Sequence, residues 1–175
     1  MDQVRIETPG IRSRTVSVER DFYSDFPLLV NYVARLIDDL DEATGIACEA
    51  FRQTAQVKRG APVEELSRAA VFRTATELSR QALRPRRWFR RRRSNDMTLD
   101  GFPQQEARRA LRRDTVQRAL TALPFEARAI ILLRDYVKLP YEELSEVIDI
   151  APRKLVHAVD RSRAELQEIY EYIKF

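Results

Sequence analysis

The residue types that carry covalent or metal chemistry are scarce in this sequence. Cys48 is the only cysteine and His157 the only histidine, which argues against both a zinc cluster and a Cys-His nucleophile pair. The four glycines fall outside any glycine-rich loop, so no phosphate cradle is predicted. The sequence therefore favours a binding protein over an enzyme, and it predicts neither a cofactor nor a metal.

Positive charge is concentrated in the middle of the chain. Residues 84–113 carry 11 Lys/Arg against 3 Asp/Glu, a net charge of +8, whereas residues 1–83 (11 against 13) and 114–175 (9 against 11) each carry −2. Seven of the arginines lie within "RPRRWFRRRR", residues 84–93. Cations at that density repel one another unless a polyanion neutralises them, so the segment predicts contact with nucleic acid. A purely solvated basic linker is the alternative.

A second group of cations follows a tight break at "DIAP", residues 149–152. If a helix begins there, one of its faces is apolar or small: Leu155, Val159, Ser162, Leu166 and Ile169. The cations lie on or beside the opposite face: Arg153, Lys154, His157 and Arg161. Two short helices joined by a tight turn, with cations near the start of the second, are typical of a DNA-binding helix-turn-helix. A structural helical hairpin with a solvated charged face is the alternative.

The elements that must position these cations are all helical. Helical spacing runs over about 19–40, 42–57, 62–83 and from 115 onward, and no useful stretch alternates with period two. Pro27 predicts a kink or a restart in the first helix. The fold class is therefore all-α, with two small helical domains joined by a basic linker and a helix-turn-helix in the C-terminal one.

The domain boundaries follow from these composition shifts. We predict a flexible N-terminal tail over 1–17, a helical domain over 18–83, the Arg-rich linker over 84–113 and the helix-turn-helix domain over 114–175. No apolar run approaches the roughly 20 residues needed to cross a bilayer, so no membrane insertion is expected. The N-terminus does not resemble a signal peptide, and a single cysteine fits a reducing compartment, so the expected location is cytoplasmic.

The C-terminal pattern resembles the promoter-reading domain of the extracytoplasmic-function (ECF) sigma factors. The matching stretches are "ALTALP", "LLRD", "YEELSEV" and the pair Arg161 and Arg163. The N-terminal half is similar to the same family's polymerase-binding domain in "FYSDFPLLVNYVARLIDDLDEA" and "EATGIACEAFRQT". The resemblance implies a bacterial sigma factor that binds core RNA polymerase and directs promoter-specific transcription initiation.

The charge patterns and the resemblance together give a set of expected site residues. On the C-terminal domain and linker, DNA contact is expected from Arg153, Lys154, His157, Arg161, Arg163, Arg84, Arg86, Arg87, Trp88 and Arg90. Polymerase contact is expected from Glu42, Ile46, Glu49, Phe51 and Arg52. Trp88 and Phe89 could stack on an unpaired base or equally cap the adjacent helix. The implied partners are core RNA polymerase, promoter DNA and an anti-sigma factor or a DNA-targeting partner.

Several positions depart from the family pattern. Thr44 and Gly45 replace acidic residues on the helix that would face polymerase, and Thr76 and Glu77 replace an Arg-Asn pair near the minus-ten element. A carboxylate at Glu77 predicts repulsion of DNA phosphates, and Val156 replaces a usual cation in the reading helix. These departures leave two alternatives open: a stand-alone helix-turn-helix regulator, or a sigma-like subunit whose DNA target is chosen by a partner protein or complex.

Overall fold

The computed structural model describes residues 12–57, 67–84 and 104–174, with side chains described for 25–56, 67–84 and 113–174. The described elements are α1 (Arg12–Ile37), α2 (Leu40–Val57), α3 (Arg68–Leu83), α4 (Gln104–Ala122), α5 (Phe125–Ile131), a π-helical turn (Leu132–Tyr136), α6 (Tyr141–Ile148) and α7 (Pro152–Lys174). Within these ranges every regular element is helical, so the all-α prediction is confirmed.

Two helices begin earlier than the sequence pattern predicted. Helix α1 starts at Arg12, inside the predicted flexible tail, and continues through Pro27 without a restart. Helix α4 starts at Gln104, inside the predicted linker, rather than near residue 115. The first turns of α4 read "QQEARRALRRD", which contains strong helix formers but little apolar periodicity. A search for periodicity therefore misses this helix start, whereas intrinsic propensity favours it.

The N-terminal half is a three-helix unit, α1 to α3, built around large buried side chains. Tyr32 and Phe72 are both buried, and their rings meet edge to face with centroids 5.5 Å apart. Thr76 is 1 % exposed, and its hydroxyl lies 2.7 Å from the Tyr32 hydroxyl. Because Thr76 Oγ1 donates its only hydrogen to the Phe72 carbonyl, the Tyr32 hydroxyl is the donor of this bond. Ser67 caps α3 by accepting a hydrogen bond from the Ala70 N–H.

The C-terminal half, α4 to α7, packs against α1 and α3 instead of standing apart from them. Helix α3 packs on α6, and α1 contacts α4, α5 and the π-helical turn. Buried residues of both halves therefore form a single hydrophobic cluster. The predicted boundary at 84–113 remains a prediction, because residues 85–103 lie outside the described part of the chain.

Arg128 is the most buried charged side chain among the described residues that join the halves. It is 8 % exposed and donates to the Leu36 carbonyl, at the end of α1, over 2.6 Å. It also donates to the carbonyls of Thr121 and Leu123, at the end of α4. A helix end leaves its last carbonyls without partners, so one guanidinium satisfies acceptors from two helices. Burial lowers the pKa of Arg128 from its ordinary value, although guanidinium groups remain protonated in proteins.

No helix among the described residues is long and apolar enough to cross a membrane. The same residues contain no group of three or more His, Cys, Asp or Glu side chains that could hold a metal ion.

Candidate nucleic-acid interface

The turn between α6 and α7 sets the geometry of the site. Asp149 adopts a left-handed conformation, with φ 58° and ψ 41°, and its N–H bonds to the Ser145 carbonyl. Aspartate and asparagine tolerate this conformation better than most side chains, whereas glycine is the usual choice. The Ser145 hydroxyl donates to the Ile150 carbonyl over 2.8 Å, which fixes the exit from the turn. Pro152 then begins α7 at a position that needs no N–H.

The inner face of α7 is buried as its spacing predicted. Leu155 and Val159 are fully buried, Ser162 is 4 % exposed, and Leu166 and Ile169 pack at the edge of the core. Helix α6 buries Leu144 and Val147 in the same cluster. The two helices are therefore held against the core by their apolar faces, which leaves the outer face of α7 accessible.

The outer face of α7 presents the predicted cations to solvent. Arg153, Lys154, His157 and Arg161 are all exposed. The face is not uniformly basic, since Val156 is 44 % exposed and Asp160 is also exposed. Charge and hydrogen-bond donors at the start of a helix are the groups that contact phosphates and base edges in a major groove.

Arg163 lies outside this face. It is eight residues beyond Leu155, which places it about 80° around the helix from the buried stripe. Its guanidinium donates twice to the Asp135 carboxylate, with Nε at 3.0 Å from Oδ2. The pair joins α7 to the π-helical turn, so a DNA contact by Arg163, as the sequence predicted, would require this pair to open.

The π-helical turn is the local irregularity that places Asp135 opposite α7. The Val137 N–H bonds to the Leu132 carbonyl over 2.9 Å, one residue further back than in an α-helix. Arg134 donates to the Leu139 carbonyl over 2.7 Å, and its guanidinium lies 4.4 Å from the centre of the Tyr141 ring. The "LLRD" pattern thus supplies two buried leucines, the arginine that fixes the turn into α6 and the aspartate that pairs with Arg163. The residue types of this motif match the family pattern but do not by themselves indicate these structural roles.

The predicted polymerase-binding residues separate into surface and core. Glu49 and Arg52 lie on the surface of α2 and bind each other, with Arg52 Nε 2.7 Å from Glu49 Oε2. Hydrogen bonds from Arg52 and Gln53 lower the pKa of Glu49 to about 2. Glu42, near the start of the helix, is half-buried.

The two apolar members of that set face inward. Ile46 belongs to the core, and Phe51 packs on Phe26 with ring centroids 5.9 Å apart. If α2 binds polymerase, both residues would stabilise that helix from its core side. The residues that depart from the family pattern, Thr44 and Gly45, are exposed on α2 beside Cys48.

Glu77 is not a free carboxylate. Arg80 contacts it over 2.8 Å and reaches Glu126 of α5 over 2.7 Å with its other terminal nitrogen. The repulsion of DNA predicted for Glu77 is therefore reduced by a neighbouring cation. Arg84, at the end of α3, is exposed. The remaining predicted linker contacts lie outside the described residues: Arg86, Arg87, Trp88 and Arg90.

Comparison with known proteins finds a family match within the C-terminal half. Residues 113–166 match the family described as Sigma-70, region 4. This stretch contains the π-helical turn, α6, the Asp149 turn and the cationic face of α7 described above. This stretch is therefore similar to a sigma-70 region 4 domain. The predicted helix-turn-helix is thereby confirmed.

Most of the fold is similar to that of a solved sigma factor. A co-crystal structure of the sigma factor RpoE in complex with the anti-sigma factor NepR from Bartonella quintana matches with a TM-score of 0.59 and 16 % identity. The match covers 89 % of this chain and 97 % of that chain. A search of curated proteins found no match. At this identity the solved structure shows a shared fold alone, and the family match concerns residues 113–166.

Proposed function

We propose that this protein is a sigma factor that binds core RNA polymerase and directs promoter-specific transcription initiation. The observation that carries the proposal is the exposed cationic face at the start of α7, held by a tight turn within a region 4 domain. In this role the protein catalyses no reaction: it positions the polymerase on promoter DNA. Both partners are in the cytoplasm, which is where the protein would act.

Region 4 would read the minus-thirty-five element with α7 in the major groove. Arg153 and Lys154, in the first turn, and Arg161, two turns later, supply donors for base edges and phosphates. His157 lies between them and, when neutral, can still donate or accept one hydrogen bond. Helix α6 would brace α7 across the backbone, as the first helix of such a motif does.

Polymerase binding is assigned to the N-terminal half, on the outer surface of α2. Among the residues predicted to contact polymerase, Glu42, Glu49 and Arg52 are polar. Glu49 and Arg52 form an ion pair, so their opposite charges nearly cancel. The solved neighbour is itself a complex with an anti-sigma factor. An anti-sigma factor is accordingly a proposed third partner of this chain.

A second candidate is a sigma-like subunit whose DNA target is chosen by a partner. The exposed Val156 in the middle of the reading face favours it, because a branched apolar side chain there gives up a donor for a base edge or phosphate. A stand-alone regulator without polymerase binding is the third possibility, favoured by the exposed Thr44 and Gly45 on α2.

One selection experiment distinguishes these possibilities. Core polymerase is mixed with the protein and a library of random DNA duplexes, and the retained duplexes are sequenced. A sigma factor retains one sequence class, and that class changes when Arg153, Lys154 and Arg161 are replaced by alanine. A partner-guided subunit retains polymerase but enriches no sequence, whereas a stand-alone regulator enriches a sequence equally well without polymerase.

A further inference from the structure

We infer that Asp160, on the outer face of α7, is a specificity-determining residue that accepts a hydrogen bond from the exocyclic amino group of a cytosine in the promoter. The inference rests on the proposed sigma function. It is carried by the position of one exposed carboxylate among the cations that are expected to contact DNA.

Asp160 lies closer to the centre of the outer face than two of the predicted DNA-binding cations do. With 3.6 residues per turn, it lies about 140° around α7 from Leu155, which marks the middle of the buried stripe. Arg161 lies about 120° and Lys154 about 100° from Leu155, both in the opposite direction. The outer face is centred at about 180° on this scale. A helix that enters a groove with this face therefore turns Asp160 toward the bases and those two cations toward the flanking phosphates.

The Asp160 carboxylate keeps most of its hydrogen-bonding capacity for a ligand. Its side chain is 65 % exposed, and its contact among the described residues is a long one, with Oδ1 3.7 Å from Nη1 of Arg163. That distance is beyond the range of a hydrogen bond. The Arg163 guanidinium donates instead to Asp135, with Nε 3.0 Å from Oδ2. An ionised carboxylate has about four acceptor sites, so Asp160 can accept from a base without giving up a hydrogen bond within the protein.

A carboxylate at this position weakens DNA binding unless it meets a donor. Phosphates line both edges of the groove, so the charge of Asp160 opposes binding to every sequence. Hydrogen bonds to an ionised acceptor are about twice as strong as those between neutral groups, so one well-placed donor offsets that repulsion. The net effect is discrimination, because DNA that lacks the donor is repelled and DNA that supplies it is retained.

Cytosine is the base whose major-groove edge fits a carboxylate. Its N4 amino group donates, and the ring position beside it carries only a C–H group. Adenine also presents an amino group, but its N7 acceptor lies beside that group and would face the second carboxylate oxygen. Guanine and thymine present acceptors to the groove. Val156, which is 44 % exposed one turn before Asp160, adds apolar surface that can pack on a pyrimidine edge.

The first test is the selection of DNA duplexes by the full-length protein in complex with core polymerase. The wild type is expected to enrich cytosine at one base pair that becomes degenerate for Asp160→Ala. Asp160→Asn is expected to move the preference at that base pair toward adenine, because an amide pairs with both N6 and N7. Glu171→Gln is the matched control and should keep the wild-type preference. Glu171 also lies 3.7 Å from a cation three residues away, Lys174, but at the far end of α7.

The second test measures affinity for a duplex that contains a modified cytosine. N4-methylcytosine still pairs with guanine, but its methyl group occupies the place from which the amino group donates into the major groove. At the selected position it should weaken wild-type binding by about tenfold and leave the binding of Asp160→Ala unchanged. Asp160→Ala should also bind scrambled duplexes about two- to fivefold more tightly than the wild type, because one repulsive charge is gone. Circular dichroism checks that each variant keeps its helix content.

Loss of the cytosine preference in Asp160→Ala, together with insensitivity to the N4-methyl group, supports the assignment. If the wild type and Asp160→Ala enrich the same sequence, the assignment is wrong and the proposed function stands. An equal effect of the methyl group on both proteins also overturns the assignment, since Asp160 would then act only by positioning Arg163. If the wild type with polymerase enriches no sequence, promoter reading itself fails, and the assignment of Asp160 fails with it.

Discussion

The Asp135 carboxylate on the π-helical turn accepts two hydrogen bonds from Arg163 on α7, 28 residues later in the chain. The bond from Nε is 3.0 Å long. The pair fixes α7 relative to the turn that precedes α6, and therefore fixes the direction in which the cations of α7 point. A residue expected to contact DNA thus positions the residues beside it.

Removing the Asp135 charge should lower the free energy of unfolding by about 1 kcal/mol or less at neutral pH, because the pair is partly exposed. The Arg163 hydrogen bonds lower the pKa of Asp135 below its ordinary value. A lowered carboxyl pKa contributes stability above the unfolded value, near 4, that is lost as the pH falls through the folded value. Urea unfolding of the wild type and Asp135→Asn should therefore differ at pH 7 and converge below pH of about 4. A difference that persists unchanged at pH 3 would contradict this assignment.

Replacing the cations of the α7 outer face should weaken DNA binding, whereas replacing a cation at the other end of the same helix should not. Alanine at Arg153, Lys154 or Arg161 should weaken binding to a selected promoter duplex, with about 1–3 kcal/mol of base discrimination lost for any side chain that contacts a base edge. Lys174→Ala, in the last turn of α7, is the matched control and should bind as the wild type does. Fluorescence anisotropy against selected and scrambled duplexes measures both affinity and discrimination. Equal losses of DNA affinity for Lys174→Ala and Arg161→Ala would show that the α7 outer face does not read the promoter.

The buried hydroxyl pair of the N-terminal half should behave as a coupled unit. Tyr32→Phe removes the donor to Thr76, and Thr76→Val leaves the Tyr32 hydroxyl without its acceptor, each at a cost of about 1–3 kcal/mol. Burial raises the pKa of Tyr32, so the phenol stays neutral and the effect should not vary from pH 6 to 9. The double variant should lose less than the sum of the two single losses. Tyr172→Phe, at an 87 % exposed phenol, is the control; strict additivity at Tyr32 and Thr76 would show that the hydroxyls are uncoupled.

The arginine run after α3 should set the salt dependence of DNA binding. Each phosphate neutralised steepens the slope of log affinity against log salt by about 0.7–0.9. Serine at Arg90, Arg91, Arg92 and Arg93 should flatten that slope and weaken binding to all sequences alike. Lysine at the same four positions keeps the charge and should retain the slope. If serine leaves the slope unchanged while polymerase binding falls, the run contacts protein instead of DNA.

The parts of this fold that sequence predicts are those fixed by side-chain periodicity. Burial of Leu155 and Val159, and exposure of the cations opposite them, follow from 3.6 residues per turn and a core on one side. Periodicity did not predict the start of α4 at Gln104, because the first turns of this helix lack an apolar stripe.

Contacts between residues far apart in the sequence could not be predicted from the local pattern of apolar and charged residues. Arg128 and Leu36 are 92 residues apart, and nothing in the spacing around either residue indicates that they meet. The pairing of Asp135 with Arg163 depends on a π-helical turn, a backbone irregularity that residue types alone do not specify. The exposure of the α7 cations was predicted correctly and the Arg163–Asp135 pair was not foreseen, while DNA contact by Arg163 stays a prediction.

Association with core RNA polymerase tests the central claim most directly. The full-length protein and core enzyme, mixed at micromolar concentration, are passed over a size-exclusion column at moderate salt. A sigma factor elutes with the core enzyme in a stoichiometric complex. The double charge reversal Glu49→Arg with Arg52→Glu on the α2 surface keeps an ion pair there but exchanges its charges. This variant therefore tests whether the two side chains take part in polymerase binding or only pair with each other. Co-elution of the wild type is the predicted result. Separate peaks for the protein and the core enzyme would contradict the proposed function.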